Sequence, residues 1–247
     1  MSKRITLNIV ICTVAMFILS PFVSAADTAN SSKMHTYDKA SGESYYAMSL
    51  SPNIELSEVE AHDILVLVDT SASQVGEYRR DAMVCLKSLL ANLGKQHRVN
   101  LMAVDLFAVE MSAGFVSPTG AQIDASIKKL SDRVALGSTD MVEILSAVAQ
   151  QYEAKSSRPR CVVYIGDGMS KANLLQIADY KRVVNELVAQ RISMSTFAIG
   201  PQRNIQLLAS LSNSTGGVIR VDNSDPQTST KCGFDLAVAV TAPVVWP

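Results

Sequence analysis

The stretch Asp63-Ile64-Leu65-Val66-Leu67-Val68-Asp69-Thr70-Ser71-Ala72-Ser73 decides the fold. Ile64 to Val68 are unbroken aliphatics, the pattern of a strand buried on both faces. The run stops at an aspartate followed by small hydroxyl residues, so polarity switches on where the strand ends. Asp69, Ser71 and Ser73 alternate, and in an extended turn their oxygens point the same way and converge on one hard cation, which takes oxygen ligands.

Working outward, apolar strands alternate with helical stretches. This predicts an α/β fold, a Rossmann-like doubly wound, mostly parallel sheet with helices on both faces. The first helix is expected over 74–93, where Ala82, Cys85, Leu86, Leu89, Leu90 and Leu93 recur at helical spacing and Gly94 ends the run. Further strands are expected at 98–105, 161–165, 192–199 and 218–221, with a short edge strand at 113–116. Helices are expected at 122–130, 141–152, within 174–190 and at 205–211. The segment 234–240 reads equally as helix or strand, and no internal repeat is visible.

Two downstream segments extend the opening pattern. Leu136-Gly137-Ser138-Thr139-Asp140 offers Thr139, and Val162-Val163-Tyr164-Ile165-Gly166-Asp167-Gly168 offers Asp167 after another apolar strand. Taken in order and in context, the three parts resemble the metal-ion-dependent adhesion site (MIDAS) of von Willebrand factor type A (vWA) domains, over roughly Asp63 to Val221. The resemblance implies a metal site built from Asp69, Ser71, Ser73, Thr139 and Asp167. It implies that the serines and threonine touch the ion directly, while the aspartates often act through water. Neutral hydroxyls leave a divalent cation under-neutralised, so its open position favours an Asp or Glu carboxylate from a protein partner. Magnesium, or manganese in its place, suits such a site because it prefers octahedral oxygen geometry and keeps its waters.

In an open parallel sheet, ligands bind at the carboxyl ends of the strands where strand order reverses. If the 64–68 and 161–165 strands flank that reversal, Asp69 and Asp167 lie side by side. Helix capping is the alternative role for Asp69, since Asp, Ser and Thr before Gln74 would satisfy free N–H groups. Capping does not explain why Thr139 and Asp167 recur at matching places. Asp105 and Asp140 are both candidates for acids standing behind the metal ligands, but Asp105 reads better as a solvated strand terminus and Asp140 as the cap of the helix after Thr139.

The rival class is a magnesium-dependent phosphoryl-transfer enzyme or hydrolase, which also places Asp at a strand end. Such sites generally need a nucleophile or a positioned base, and Ser71 stands where a second aspartate would be. His62 and His97 precede their strands, at the pole opposite Asp69, and no catalytic residue is assigned. A third class is a vWA assembly subunit of a larger complex. In the resembled family a final helix couples metal-site geometry to affinity, and 234–240 is its candidate. With 48% apolar residues and a formal net charge of −1, the chain can bury a core and has no reason to seek nucleic acid.

Residues 1–25 carry Lys3 and Arg4, an apolar run, Pro21 and a small-residue end, the pattern of a secretory signal peptide with the mature chain starting near Ala26 or Asp27. The apolar run is shorter than the ~20 residues of a bilayer span, so a membrane attachment follows only if the leader stays uncleaved. Bulky Ile11 before Cys12 argues against a lipid anchor. Residues 26–60 read as a Ser/Ala-rich linker that includes His35, 61–242 as the vWA domain, and 243–247 as a short apolar tail. The expected location is secreted, periplasmic or at the cell surface. Cys85, Cys161 and Cys232 remain after the leader, an odd count without metal-ligand spacing.

Overall fold

The computed structural model describes residues 33–49, 61–153, 156–223, 225, 227–244 and 246. The predicted leader, and 26–32 and 50–60 of the predicted linker, lie outside them. Within the linker stretch, β1 (Lys33–Asp38) and β2 (Ser44–Ser49) pair antiparallel, with Tyr37 opposite Tyr45 and Thr36 opposite Tyr46. Residues 34–49 are all exposed, so no apolar-in, polar-out alternation marked these strands in the sequence. This hairpin is one unit, and the described residues from Ala61 onward form another.

The second unit is a six-stranded sheet with helices on both faces. Its strands are β3 (Asp63–Asp69), β4 (Arg98–Val104), β5 (Ala108–Glu110), β6 (Arg160–Gly166), β7 (Ile192–Ala198) and β8 (Ile219–Val221). They lie in the order β5-β4-β3-β6-β7-β8, all parallel except β5, which runs antiparallel to β4. All seven residues of β3 are buried, and alternate side chains feed two cores. Ile64, Val66 and Val68 pack on one face with α1 (Gly76–Ala91), α2 (Ala121–Asp132) and α6 (Thr228–Thr241). Leu65 and Leu67 pack on the other with α3 (Met141–Val148), α4 (Ile177–Ala189) and α5 (Ile205–Thr215). Each fully buried Leu, Ile or Phe in these layers contributes about 1.5–3 kcal/mol.

Two sequence expectations need correction or resolution. The edge strand lies at Ala108–Glu110 rather than 113–116: Ser112 Oγ donates to Gly114 O, Gly114 has φ +68°, and the turn they make leaves Val116 a single bridge to Val99. The ambiguous 234–240 belongs to α6, whose buried residues Ser229, Cys232, Gly233, Leu236, Ala237 and Val240 follow a helical stripe. Cys85, Cys161 and Cys232 are free buried thiols. Among the described residues no helix is long and apolar enough to cross a membrane.

Helix α6 comes so close to α1 that a Cβ on Gly233 would sit 2.4 Å from Cys85 O and 2.8 Å from Leu89 N, both backbone atoms. On an exposed helix, Gly→Ala would stabilise by about 1 kcal/mol. Here the sign reverses: Gly233→Ala is expected to lower the unfolding free energy by about 1–3 kcal/mol, because two helix backbones must separate. Urea titration of the wild type and the variant checks this.

Candidate metal centre

Strands β3 and β6 are neighbours at the centre of the sheet, in parallel register that sets Val68 opposite Ile165. The next strand in sequence after β3 lies to one side and β6 to the other, so strand order reverses between them. β3 ends in Asp69, and Asp167 directly follows β6, at this pole. Gly166 allows the approach: a Cβ there would lie 2.5 Å from Asp69 Cβ and 2.7 Å from the Tyr164 hydroxyl.

The five oxygen-bearing side chains singled out in the sequence come together here. Beyond β3 the chain turns sharply, Ser71 N donating to Asp69 Oδ1 at 2.8 Å and Gln74 N to Ser71 O at 2.9 Å. That turn sets Ser71 Oγ 3.0 Å from Ser73 Oγ, and Ser73 Oγ donates to Asp167 Oδ2 at 2.6 Å. Thr139 Oγ1 reaches Asp69 from the third segment, 3.3 Å from Oδ1 and 3.2 Å from Oδ2. Its loop is stitched to its neighbours by backbone bonds, Ala72 N to Gly137 O and Ala172 N to Thr139 O. Asp69, Thr139 and Asp167 are each 1–2% exposed, and Ser71 is buried.

Three further groups shape the site, and none was assigned to it from the sequence. The Tyr164 hydroxyl, fully buried, donates to Asp69 Oδ2 at 2.9 Å and accepts from Gly168 N at 3.2 Å, tying the two aspartate-bearing segments together. A lone tyrosine inside an otherwise aliphatic buried strand was the available signal, since a buried phenol needs a partner. Ser170 accepts from Met141 N and so joins the Asp167 loop to the start of α3. Asp105 is not a solvated strand end: it receives Arg133 Nη2 at 2.6 Å and Thr70 Oγ1 at 3.2 Å, because Arg133 folds back from the end of α2 over the Asp69 turn. Asp140 caps α3 as expected, accepting from Val142 N and Glu143 N.

The electrostatics of the cluster are those of a site short of positive charge. Burial, and then the nearby Asp167 carboxylate, push the Asp69 carboxyl up to about 6, against the lowering effect of the Ser71 and Tyr164 hydrogen bonds. Among the described residues, neither Asp69 nor Asp167 has a cationic ion-pair partner, and no three His, Cys, Asp or Glu side chains gather. Two carboxylates and three hydroxyls form an all-oxygen donor set that fits a hard divalent cation and offers nothing to a soft one.

Comparison with known proteins agrees with this architecture. The sequence model of the family described as "von Willebrand factor type A domain" matches residues 62–221. Among solved structures, a von Willebrand factor type A protein from Catenulispora acidiphila superposes with a TM-score of 0.64 at 14% identity, covering 86% of this chain and 47% of that one. The chain thus spans about half the length of that relative. The manganese-loaded TRAP protein of Plasmodium vivax gives a TM-score of 0.54 at 15% identity over 87% of this chain and 77% of that one. Proximal thread matrix protein 1 from the mussel byssus, with a zinc-occupied MIDAS motif, gives 0.56 at 11% identity over 74% and 47%. No curated protein matches.

The raised Asp69 value has a measurable consequence for the metal-free protein. Between pH 3.8, the ordinary value, and about 6, the folded chain holds a proton that the unfolded chain has released, so stability from this group is full at low pH and falls as pH rises through that window. The loss is on the order of 3 kcal/mol, from about 1.4 kcal/mol per unit. Thermal melts in chelator across this window are expected to show the decline, and Asp69→Asn to flatten it.

Proposed function

The chain belongs to the von Willebrand factor type A family, and from that membership we propose that it is an exported, metal-dependent protein-binding module of the adhesion type. The observation that carries the reading is the convergence of Asp69, Ser71, Ser73, Thr139 and Asp167, from three separate segments, around two buried carboxylates at the sheet's switch point. A magnesium or manganese ion held there would supply the missing positive charge and Lewis acidity toward an anionic group. Asp69 and Asp167 provide the charge that retains the ion. Ser71, Ser73 and Thr139 would provide neutral oxygens, and such an ion would favour a carboxylate, an Asp or Glu of a partner protein. The metal-loaded states of the Plasmodium vivax TRAP protein and of the mussel matrix protein belong to those proteins, and they support a divalent ion here.

Binding rather than catalysis is favoured by the placement of the bases. His62 and His97 form a buried pair at the amino ends of β3 and β4, where His62 N donates to His97 Nδ1 at 3.1 Å, a sheet's length from Asp69. Tyr164, the buried hydroxyl at the site, has its pKa pushed well up by burial and by Asp69, so it holds its proton and orients the carboxylate rather than serving as a base. Export rests on the 1–25 leader. N-terminal sequencing of protein secreted by a native-like host is expected to begin near Ala26 or Asp27, and retention of Met1 or Ser2 overturns this part.

Calorimetry is expected to detect magnesium or manganese binding to the purified protein, and Asp69→Ala to abolish it with the circular dichroism spectrum unchanged. Equal affinity in both proteins sinks the assignment. In pull-downs from the extracellular fraction, partner capture should be lost in chelator. Thr139→Ala should weaken that capture much more than metal binding, because it removes one neutral ligand and no charge. Magnesium-dependent phosphatase or nuclease turnover that disappears in Asp69→Ala would instead place the protein among the enzymes.

A further inference from the structure

The hairpin of β1 and β2 is locally well specified and yet exposed on both faces. Lys39 N donates to Glu43 O at 2.8 Å and Gly42 N to Lys39 O at 3.0 Å, with Gly42 at φ +88°, and Lys39 Nζ lies 4.7 Å over the Tyr45 ring. Residues 34–49 are nevertheless all exposed, Tyr46 by 74% and Met34, Tyr37 and Met48 by 64–67%. An isolated two-stranded hairpin is marginal in water, and further strands with an apolar face are what give such an element stability of its own.

The two edges of the hairpin differ. The Lys39–Glu43 bond fixes the alternation along the ladder, so Tyr45 and Ala47 turn their backbone groups in toward β1, while Ser44, Tyr46 and Met48 turn theirs out. On β1 the outward positions are Met34, Thr36 and Asp38. Edge strands are ordinarily protected from further pairing by charge or proline. β1 has His35 and Asp38, whereas β2, Ser-Tyr-Tyr-Ala-Met-Ser, has neither charge nor proline. The borders of the six-stranded sheet, Ala108–Glu110 and Ile219–Val221, are too short to receive a strand of that length. Among the described residues, the edges that match β2 are those of the hairpin itself.

We propose that the outer edge of β2 pairs antiparallel with β2 of a second copy of this chain, centred on Tyr46, so that two hairpins make one four-stranded sheet. This register engages the outward amides and carbonyls of Ser44, Tyr46 and Met48 together. It sets Tyr46 opposite Tyr46 of the partner subunit, an aromatic cross-strand pair that stabilises a sheet. Met34 is opposite Met48 within the hairpin and Thr36 opposite Tyr46, so these side chains share a face and the joined sheet carries an apolar row across its centre. Pairing through the edge of β1 about Thr36 would instead press Met34 against a carboxylate, Asp38 of the partner subunit. Pairing of β2 with the other copy's β1 would leave an unpaired edge at each end and grow into an open filament, whereas β2 on β2 closes with twofold symmetry.

Sedimentation of the chain from Ala26 to Pro247 at micromolar concentration is expected to show a dimer, in magnesium and in chelator alike. The Tyr46 N–H faces away from β1, so Tyr46→Pro removes an outward donor and no bond of the hairpin, and it is expected to weaken dimerisation at least about tenfold. Tyr46→Lys, which sets two ammonium groups opposite each other at the twofold axis, should do the same. Thr36→Pro, the equivalent change on the edge of β1, should leave the dimer intact. An unchanged circular dichroism spectrum in all three variants separates loss of pairing from loss of fold. A chain that stays monomeric overturns the proposal, and so does growth into oligomers of indefinite size. A dimer that chelator dissolves, that Tyr46→Pro retains or that Thr36→Pro loses also overturns it, because another surface then joins the copies.

Discussion

Two carboxylates that would each be better solvated in water are held side by side at the centre of the sheet, and the local structure is organised around keeping them there. Asp69 closes β3 and Asp167 directly follows β6, adjacent parallel strands with apolar packing on both faces. Gly166 removes the side chain that would wedge them apart, and the Tyr164 hydroxyl pins one of them from within. In a medium of low dielectric such a pair must take up a proton or a cation. The fold stores an unmet need for positive charge at the mouth of its crevice.

The opposite pole resolves the same kind of problem internally. Asp63, 1% exposed at the start of β3, receives Arg98 Nε and Nη2 at 2.9 and 2.7 Å and Arg158 Nε at 2.6 Å. Two guanidinium groups from neighbouring segments satisfy its oxygens, as a buried charge requires. One end of β3 thus carries a carboxylate saturated by the protein's own cations, and the other end carries one that, among the described residues, has no ion-pair partner. That asymmetry makes a ligand site of one end and a structural clamp of the other, on a single seven-residue strand.

The parts of the fold legible in the sequence were those with a strong periodic signature. The aliphatic run at 64–68 and the apolar run at 161–165 announced strands buried on both faces, and the spacing of Cys85, Leu86, Leu89 and Leu90 announced α1. Asp69, Ser71, Ser73, Thr139 and Asp167 were legible because each stands where an apolar run gives way to short polar residues. What escaped depends on tertiary contact. Asp105 reads as a strand end until Arg133, 28 positions away, is seen to reach it. Tyr164 reads as one more core residue until its hydroxyl is placed on Asp69. The hairpin's residues 34–49 are all exposed and so left no pattern, and 234–240 was ambiguous because its helical stripe becomes evident only when Ser229, Cys232 and Gly233 are counted with it.

Both borders of the six-stranded sheet are three residues long, Ala108–Glu110 on one side and Ile219–Val221 on the other, while the four strands between them run for seven. A foreign strand approaching either margin would find too few free amides and carbonyls to template a ladder, which guards the protein against fibril-like stacking. The same brevity disfavours backbone-to-backbone annexation as a way for other molecules to join this sheet. The richest side-chain chemistry of the sheet lies instead at the tips of its central strands.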